Sequence, residues 1–380
     1  MKGSAGALAK RLLPALVLAG VLLDAHAGDI ADACVADLDA LPDFVVANDA
    51  GGRDIVARRG PALDEALARA RARAREAIDD DACVDALRGY LRAWRHGHLS
   101  IVARTVAGNA AAASAPPTGD PRAPRFRVLS ARTSLLTLPS FGDHYARPIA
   151  QLVAAHRRAI VSRPYLIVDV RRNGGGSDRS YGPLLPLVAA NVTRTPNAEF
   201  LATPANIAAS EAVCKLPEVL AADCLRFMSP VIEAMKAAPT GTFVLPTGER
   251  PVDIDLPRHV LAKPRWVAVL IDGRCGSSCE EFVLAVRQSF KVKTFGRPTA
   301  GSLDYSNLRP HDLPSGKRRL FYATSRSLRL PANPIDAAGI APDQLLPTPE
   351  NEAAFDAEVE TVRGVLEGRD PTDSRYRRRR

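Results

Sequence analysis

Two short stretches of the chain hold residues of the kind that make and break acyl bonds. The first is Asp272-Gly-Arg-Cys-Gly-Ser-Ser-Cys-Glu-Glu-Phe282. It follows an apolar run, Trp266–Ile271, and opens onto a helical pattern over Glu280–Phe290. A serine at the start of a helix sits at the positive end of the helix dipole, where developing negative charge is stabilised. Ser277 and Glu280 also have capping-box spacing, so a plain helix cap is the competing account. The order strand, tight turn, serine, helix follows the logic of a nucleophile elbow, although no GxSxG string occurs. The second stretch is Asp169-Val-Arg-Arg-Asn-Gly-Gly-Gly176, at the end of the apolar run Tyr165–Val170. Three consecutive glycines permit positive φ and close approach of backbone to a ligand, and free N–H groups in such a turn stabilise an anion. By itself such a triplet is more often just a turn. No Gly-Lys-Ser/Thr follows it, so it is not a phosphate-binding P-loop.

A nucleophilic serine needs a base. The candidates are His96, His98, His144, His156, His259 and His311. His156 lies beside Arg157 and Arg158 and reads as solvated, while His144, His259 and His311 stand in polar loop context. His96-Gly97-His98 ends a helical stretch, and the glycine frees the backbone to present an imidazole. Metal binding by this pair lacks a carboxylate at motif spacing.

The elements that must position these groups can be read from hydrophobic periodicity. Residues 29–95 read as mostly helical. Leu63, Ala66, Leu67, Ala70, Ala74 and Ala77 recur at helical spacing, with Pro61 at an expected first helical position. The acidic run Asp79–Asp81 interrupts the pattern, and Val84, Leu87, Tyr90 and Leu91 carry the next helix. Residues 107–125 are rich in Gly, Ala, Ser and Pro and read as a linker or exposed loop. Beyond them a strand at Ser134–Leu138, a helix at Ile149–Ile160, the strand Tyr165–Val170, a helix from Pro183 and the strand Trp266–Ile271 alternate. Apolar strands alternating with helices imply an α/β core.

Composition narrows the class. With 46% hydrophobic and 24% charged residues in 380, the chain is neither disordered nor fibrous. The net charge of +9 has a bland source. Arg69, Arg71, Arg73 and Arg75 spread around an Ala-rich helix, and Arg375–Arg380 form a like-charge tail. Aromatic residues make up only 5% and no nucleic-acid motif occurs, so nucleic-acid binding is not expected.

Lys2, Lys10 and Arg11, the apolar run Leu12–Leu23, and Ala25-His26-Ala27 have the form of a signal peptide over residues 1–27. The run is too short for a spanning helix, so export without stable membrane insertion is expected, to a periplasm or beyond the cell. Six cysteines in an exported chain suggest disulfides, and nearest-neighbour pairing gives Cys34–Cys83, Cys214–Cys224 and Cys275–Cys279. Residues i and i+4 of a helix lie about 6 Å apart, within disulfide range. A bridge between Cys275 and Cys279 would fix the turn around Ser277.

Taken in order, these pieces resemble the tail-specific, or C-terminal-processing, serine protease family, which includes the tricorn core protease and the interphotoreceptor retinoid-binding protein repeats. The family pattern is matched by Gly97-His98-Leu99, Asp169–Gly176, Ser277–Glu280, Gly296-Arg-Pro-Thr-Ala-Gly301 and Gly339-Ile-Ala-Pro-Asp343. The resemblance implies an α/β, crotonase- and Clp-protease-like spiral of ββα units with an N-terminal helical domain. It divides the chain into a leader 1–27, a helical domain 28–105, a linker 106–127, a protease core 128–365 and a basic, disordered tail 366–380.

Carried over by position, Ser277 resembles the nucleophile. The N–H of Ser278 and one from Gly174 or Gly175, with Gly175 preferred, would form the oxyanion hole. Glu280 matches an acidic position and reads as a structural cap. Typical members use a Ser–Lys dyad with lysine directly after the Thr-x-Gly segment; here that position is Ser302, and no lysine occurs between Lys293 and Lys317. The tricorn-like branch instead uses Ser, His and a carboxylate three residues before the Gly of the Pro-Asp segment. That set here is Ser277, His98 and Asp336, where the family residue is usually Glu. The implied activity is peptide-bond hydrolysis through an acyl-enzyme, on peptides or unfolded proteins, with no cofactor and no metal. Only 36 residues separate His98 from Ser134, too few for the PDZ domain most members carry. Two other readings share the fold: a non-catalytic binder of a hydrophobic ligand or peptide, and an esterase using the same triad.

Overall fold

The computed structural model describes residues 15–104, 119–215 and 221–368, with side chains described from Asp29 onward and not at 221–223. The expected basic tail beyond 368 and most of the expected leader lie outside the described residues. Three helices come first: α1 (Ala15–Asn48), α2 (Gly52–Arg75) and α3 (Asp80–Trp94). Asp79, in extended conformation, caps α3 by accepting from Ala82 N at 2.7 Å, which is why the acidic run breaks the helical pattern. Pro61 does not start a helix as expected; it lies inside α2. The buried stripe Ile55, Leu63, Ala66, Ala70 and Ala74 runs through it, so packing against α1 and α3 offsets the hydrogen bond that proline removes.

The strands and remaining helices follow in the order β1 (Leu99–Ala103), β2 (Arg125–Val128), β3 (Thr133–Thr137), α4 (Asp143–Ser162), β4 (Tyr165–Asp169), α5 (Asp178–Tyr181), α6 (Leu185–Val188), β5 (Thr193–Pro196) and β6 (Ala198–Leu201). Then come α7 (Pro204–Val213), α8 (Ala221–Ala237), β7 (Phe243–Val244), β8 (Val252–Asp255), β9 (Trp266–Ile271), α9 (Ser278–Val286), β10 (Val292–Gly296), β11 (Tyr305–Asp312), β12 (Arg318–Ser327), β13 (Gln344–Leu345) and α10 (Glu352–Leu366). The fold is mixed α/β with an N-terminal helical unit. β2 starts at Arg125, inside the stretch expected to be linker. The helix expected from Pro183 is instead two single turns, α5 and α6, flanking a short 3-10 turn.

One sheet has the order β13-β10-β9-β4-β3-β2 and is parallel except for the β2–β3 hairpin. β2, β3 and α4 form a ββα unit that returns the chain into β4. β4 and β9 are buried along nearly their whole length, as strands covered on both faces must be. Their register pairs Asp169 with Leu270, and β10 pairs Gly296 with Ile271. Parallel strands in that register end at the same level. The turns after β4, β9 and β10 therefore emerge side by side, at the carboxyl edge where open α/β sheets hold their ligands.

A second, antiparallel sheet has the order β1-β12-β6-β7, with β11 also pairing β12. The helical unit packs on it: Leu38, Leu41, Val45, Leu87, Tyr90 and Trp94 share one core with Ile101, Leu320 and Tyr322. The cysteines pair as the spacing suggests, Cys34–Cys83, Cys214–Cys224 and Cys275–Cys279. The first of these ties α1 to α3.

Candidate active site

Ser277 lies between β9 and α9 with φ 57° and ψ −126°. Non-glycine residues avoid this region, and holding one there costs about 1–3 kcal/mol. Several contacts supply that. Cys275 and Cys279, one on each side, are bridged with their Cα atoms 5.3 Å apart. Gly276 N donates to Asn173 O at 3.1 Å, and Ala300 N donates to Cys275 O at 2.9 Å. The elbow is thus tied to the turns that follow the strands on either side of it.

Glu280 is the hub of this arrangement. Its side chain is fully buried, and both oxygens receive only donors. Oε1 accepts from Thr299 Oγ1 at 2.6 Å and Gly301 N at 2.8 Å. Oε2 accepts from Ser277 N at 3.1 Å and Ser302 N at 2.9 Å. The carboxylate half of the capping box is therefore made, and it extends to the loop after β10. The Gly296–Gly301 and Gly339–Asp343 segments meet here as well: Thr299 Oγ1 accepts from Ile340 N at 2.7 Å, and Asp343 Oδ2 accepts from Thr294 N at 2.7 Å. A Cβ on Gly339 would fall 2.2 Å from Thr299 O, so only glycine allows this crossing.

The glycine turn after β4 lies directly against the elbow. Gly175 has φ 90°, and a Cβ there would stand 2.5 Å from Gly276 O and 2.8 Å from Ser277 Cβ. Its N–H donates to Asn173 Oδ1 at 2.9 Å and so is occupied. Gly174, the other alternative, is exposed and its N–H makes no hydrogen bond among the described residues. Ser278 N is likewise unengaged, while its hydroxyl donates to Gly176 O at 3.1 Å. The N–H groups left free in the two turns are therefore those of Gly174 and Ser278, of which Ser278 adjoins Ser277. Gly175 is the glycine that lies against Ser277 and Ser278 N, while Asn173 claims its amide; sequence does not show which amide of a glycine turn its own asparagine will take.

His98 stands at φ 54°, half-buried, between α3 and β1. Its Nδ1 is 2.5 Å from Tyr305 O. A carbonyl can only accept, so Nδ1 carries the proton and Nε2 keeps its lone pair. Burial of the ring holds its pKa below the ordinary histidine value, against the opposing effect of that hydrogen bond. Ser302 connects the two halves of the site. A Cβ on Gly97 would fall 2.2 Å from Ser302 Cβ, and one on Gly276 would fall 3.0 Å from Ser302 Oγ. The residues preceding His98 and Ser277 thus touch the same side chain, although no hydrogen bond joins Ser277 to His98. Of the other histidines, His96 is exposed, His156 stacks on Phe126 and His311 stacks on Phe44.

Asp336 does not hydrogen-bond to His98. Its Oδ1 accepts from Leu303 N at 2.8 Å and Asp304 N at 2.7 Å, and burial pushes its pKa up to about 6. It anchors the backbone two residues before Tyr305, whose carbonyl holds the imidazole. Sequence reasoning missed that carbonyl, because a main-chain acceptor leaves no residue-type signal. It also missed Asp304, which accepts from Ile335 N and Asp336 N and pairs with Arg329.

Glu281, half-buried on α9, has its carboxyl pushed up to about 7, first by burial and then by the neighbouring carboxylate of Asp178. A carboxyl that keeps its proton longer when folded stabilises the native state at low pH. That stabilisation is lost as pH rises from the unfolded value near 4.5 through about 7. The expected result is that wild type loses stability relative to Glu281→Gln across this window, by on the order of 1–2 kcal/mol after solvent screening. Urea midpoints of both proteins measured at steps across that range check this; a constant difference would contradict it.

Comparison with known proteins bears on this arrangement. Residues 132–346 match peptidase family S41. No curated protein matches the chain by sequence. Among solved structures, mature CPAF is 12% identical with a TM-score of 0.61, covering 90% of this chain and 99% of that one. CPAF complexed with lactacystin is 11% identical with a TM-score of 0.61, covering 88% and 98%. A peptidase structure from Parabacteroides merdae, itself described as putative, is 15% identical with a TM-score of 0.52, covering 89% and 98%. At these identities the structures speak to the fold.

Proposed function

The chain belongs to peptidase family S41 and is a serine protease, and we propose that it cleaves peptide bonds through an acyl-enzyme on Ser277, with His98 as general base. The observation that carries this reading is the convergence at Ser277. A strained serine at a helix start has the unengaged N–H of Ser278 and the Gly174–Gly176 turn beside it, and a histidine with Nε2 unprotonated is linked to it through Ser302, which lies against both Gly97 and Gly276. In the proposed reaction His98 Nε2 takes the proton from Ser277 Oγ as that oxygen bonds to the substrate carbonyl carbon. The carbonyl oxygen becomes an oxyanion facing the N–H of Ser278 and one from the Gly174–Gly175 turn, each worth roughly 2.7–4 kcal/mol in such sites. His98 then passes its proton to the leaving amine as the C–N bond breaks. Water, deprotonated by the same Nε2, releases the acid and restores Ser277.

Asp336 enters this scheme as a positioning residue. It holds the loop that carries the Tyr305 carbonyl, and that carbonyl sets the imidazole tautomer. A lysine dyad does not fit, since Ser302 fills the relevant position between Gly97 and Gly276. The substrates are proposed to be peptides or unfolded chains. Export is proposed from the leader pattern and from three disulfides, which persist in oxidising compartments. Among the described residues no helix is long and apolar enough to cross a membrane.

Labelling by a fluorophosphonate tests the reading. The wild-type protein is expected to label, with a rate that rises with pH along an acid limb centred below 6.5, because burial depresses the His98 pKa. His98→Ala is expected to lower the rate by roughly 10³-fold or more. Folded wild type that does not label, or a His98→Ala variant that labels at the wild-type rate, would overturn the assignment. A protein that labels but turns over esters and not peptides would redirect it to ester hydrolysis.

A further inference from the structure

Arg95 caps the C-terminus of α3, three residues before His98, and lies outside every motif that the sequence offers. Its side chain is 7% exposed, and its partner Asp49 is fully buried. The guanidinium forms a fork on Asp49, with Nη1 on Oδ1 and Nη2 on Oδ2 at 2.6 Å. The same group donates from Nε to Gly97 O at 2.8 Å and from Nη2 to His98 O at 2.7 Å. It also lies over the Tyr305 ring, 5.1 Å from its centroid, and Tyr305 is the residue whose carbonyl holds His98 Nδ1.

We propose that Arg95 is a further positioning residue of the catalytic base, acting on its backbone. The inference rests on the reading of His98 as that base. His98 has φ 54°, a region that non-glycine residues avoid. Here the two successive carbonyls at His98 are turned onto one guanidinium, which holds the loop in that conformation. A lysine ammonium cannot reproduce this, because it is a point charge without the planar fork. Asp49 extends the clamp. It accepts from Gly51 N at 2.9 Å at the joint between α1 and α2, and from Ala323 N at 3.0 Å in β12. One buried ion pair therefore fixes the base, the joint of the helical unit and the sheet beneath it. The helical unit docks and His98 reaches its place as a single event.

The test is Arg95→Lys in the full-length protein, made in the wild-type and His98→Ala backgrounds. The readouts are kcat and KM on a quenched casein-derived peptide, and the fluorophosphonate labelling rate against pH. In the wild-type background kcat is expected to fall roughly 10²-fold, the cost of displacing a catalytic group by about an ångström, with KM nearly unchanged. The acid limb is expected to move up toward the ordinary histidine value as the ring leaves its buried place. In the His98→Ala background the same substitution is expected to cost almost nothing further, since there is no base left to misplace. An equal fold-loss in both backgrounds, or an unchanged kcat and acid limb in the first, would overturn the proposal. His98→Ala alone separates this from failure of the underlying reading, because wild-type activity there removes His98 as base whatever Arg95 does. Should Arg95→Lys not fold, Asp49→Asn combined with Arg95→Met removes both buried charges together and is judged by the same outcomes.

Discussion

Ser277→Ala is expected to lower peptide hydrolysis by roughly 10⁶-fold while leaving the protein folded. The size follows from the role: the hydroxyl supplies the atom that bonds to the substrate, and no neighbouring group can replace it. Ser278 Oγ is turned away onto Gly176 O, and Ser302 Oγ is directed at Glu280. The residual activity should match that of the double variant Ser277→Ala/His98→Ala, because the base has nothing to activate once the nucleophile is gone. Removing the hydroxyl leaves the backbone and the Cys275–Cys279 bridge in place, so the unfolding midpoint should change little. Steady-state kinetics with urea unfolding on the same preparations check both statements. Activity of Ser277→Ala within a few-fold of wild type would place the nucleophile elsewhere.

Glu280→Gln is expected to destabilise the protein by on the order of 3 kcal/mol and to abolish labelling at Ser277. Each carboxylate oxygen accepts from at least one backbone N–H, so an amide nitrogen in place of either one points N–H at N–H. With the amide one way round, Ser277 N and Ser302 N lose their acceptor; the other way round, Gly301 N loses its acceptor, while the Thr299 hydroxyl must turn to accept from the amide. At least one backbone donor is orphaned in each case, and an unmet donor is what makes such substitutions costly. The same contacts hold the elbow at its positive φ and keep Ser302 against Gly97, so activity should fall further than stability alone predicts. Urea unfolding at pH 7 and the labelling rate of the folded fraction measure the two effects. A variant as stable and as reactive as wild type would show that the carboxylate is not the hub described.

Much of this was legible along the chain. The apolar runs Tyr165–Val170 and Trp266–Ile271 became the buried strands β4 and β9. Both chemical turns sit at their carboxyl ends, since continuous apolar strands and glycine-rich breaks are local properties of sequence. Cysteine pairing followed nearest-neighbour order; the separations of 10 and 4 residues are short, while Cys34 and Cys83, 49 apart, are brought together by the packing of α1 on α3. The serine at a helix start was visible as a residue type in a recognisable order. Pro61 shows the limit of such reading: its local preference was to begin a helix, and the stripe packed against α1 and α3 overrode it.

What only the tertiary structure decided are the relations between distant backbone groups. Strand register set the turns after β4, β9 and β10 side by side. Asn173 chose the amide of Gly175 and so left Gly174 free. The Tyr305 carbonyl, more than 200 residues from His98, fixed the tautomer of its ring. Asp336 went to the amides of Leu303 and Asp304, and Asp49 and Arg95 met across 46 residues. The physical reason is common to all of these. Every residue carries a backbone donor or acceptor regardless of its type, so sequence names the side chains that do chemistry, but only the fold determines which peptide groups hold them in place.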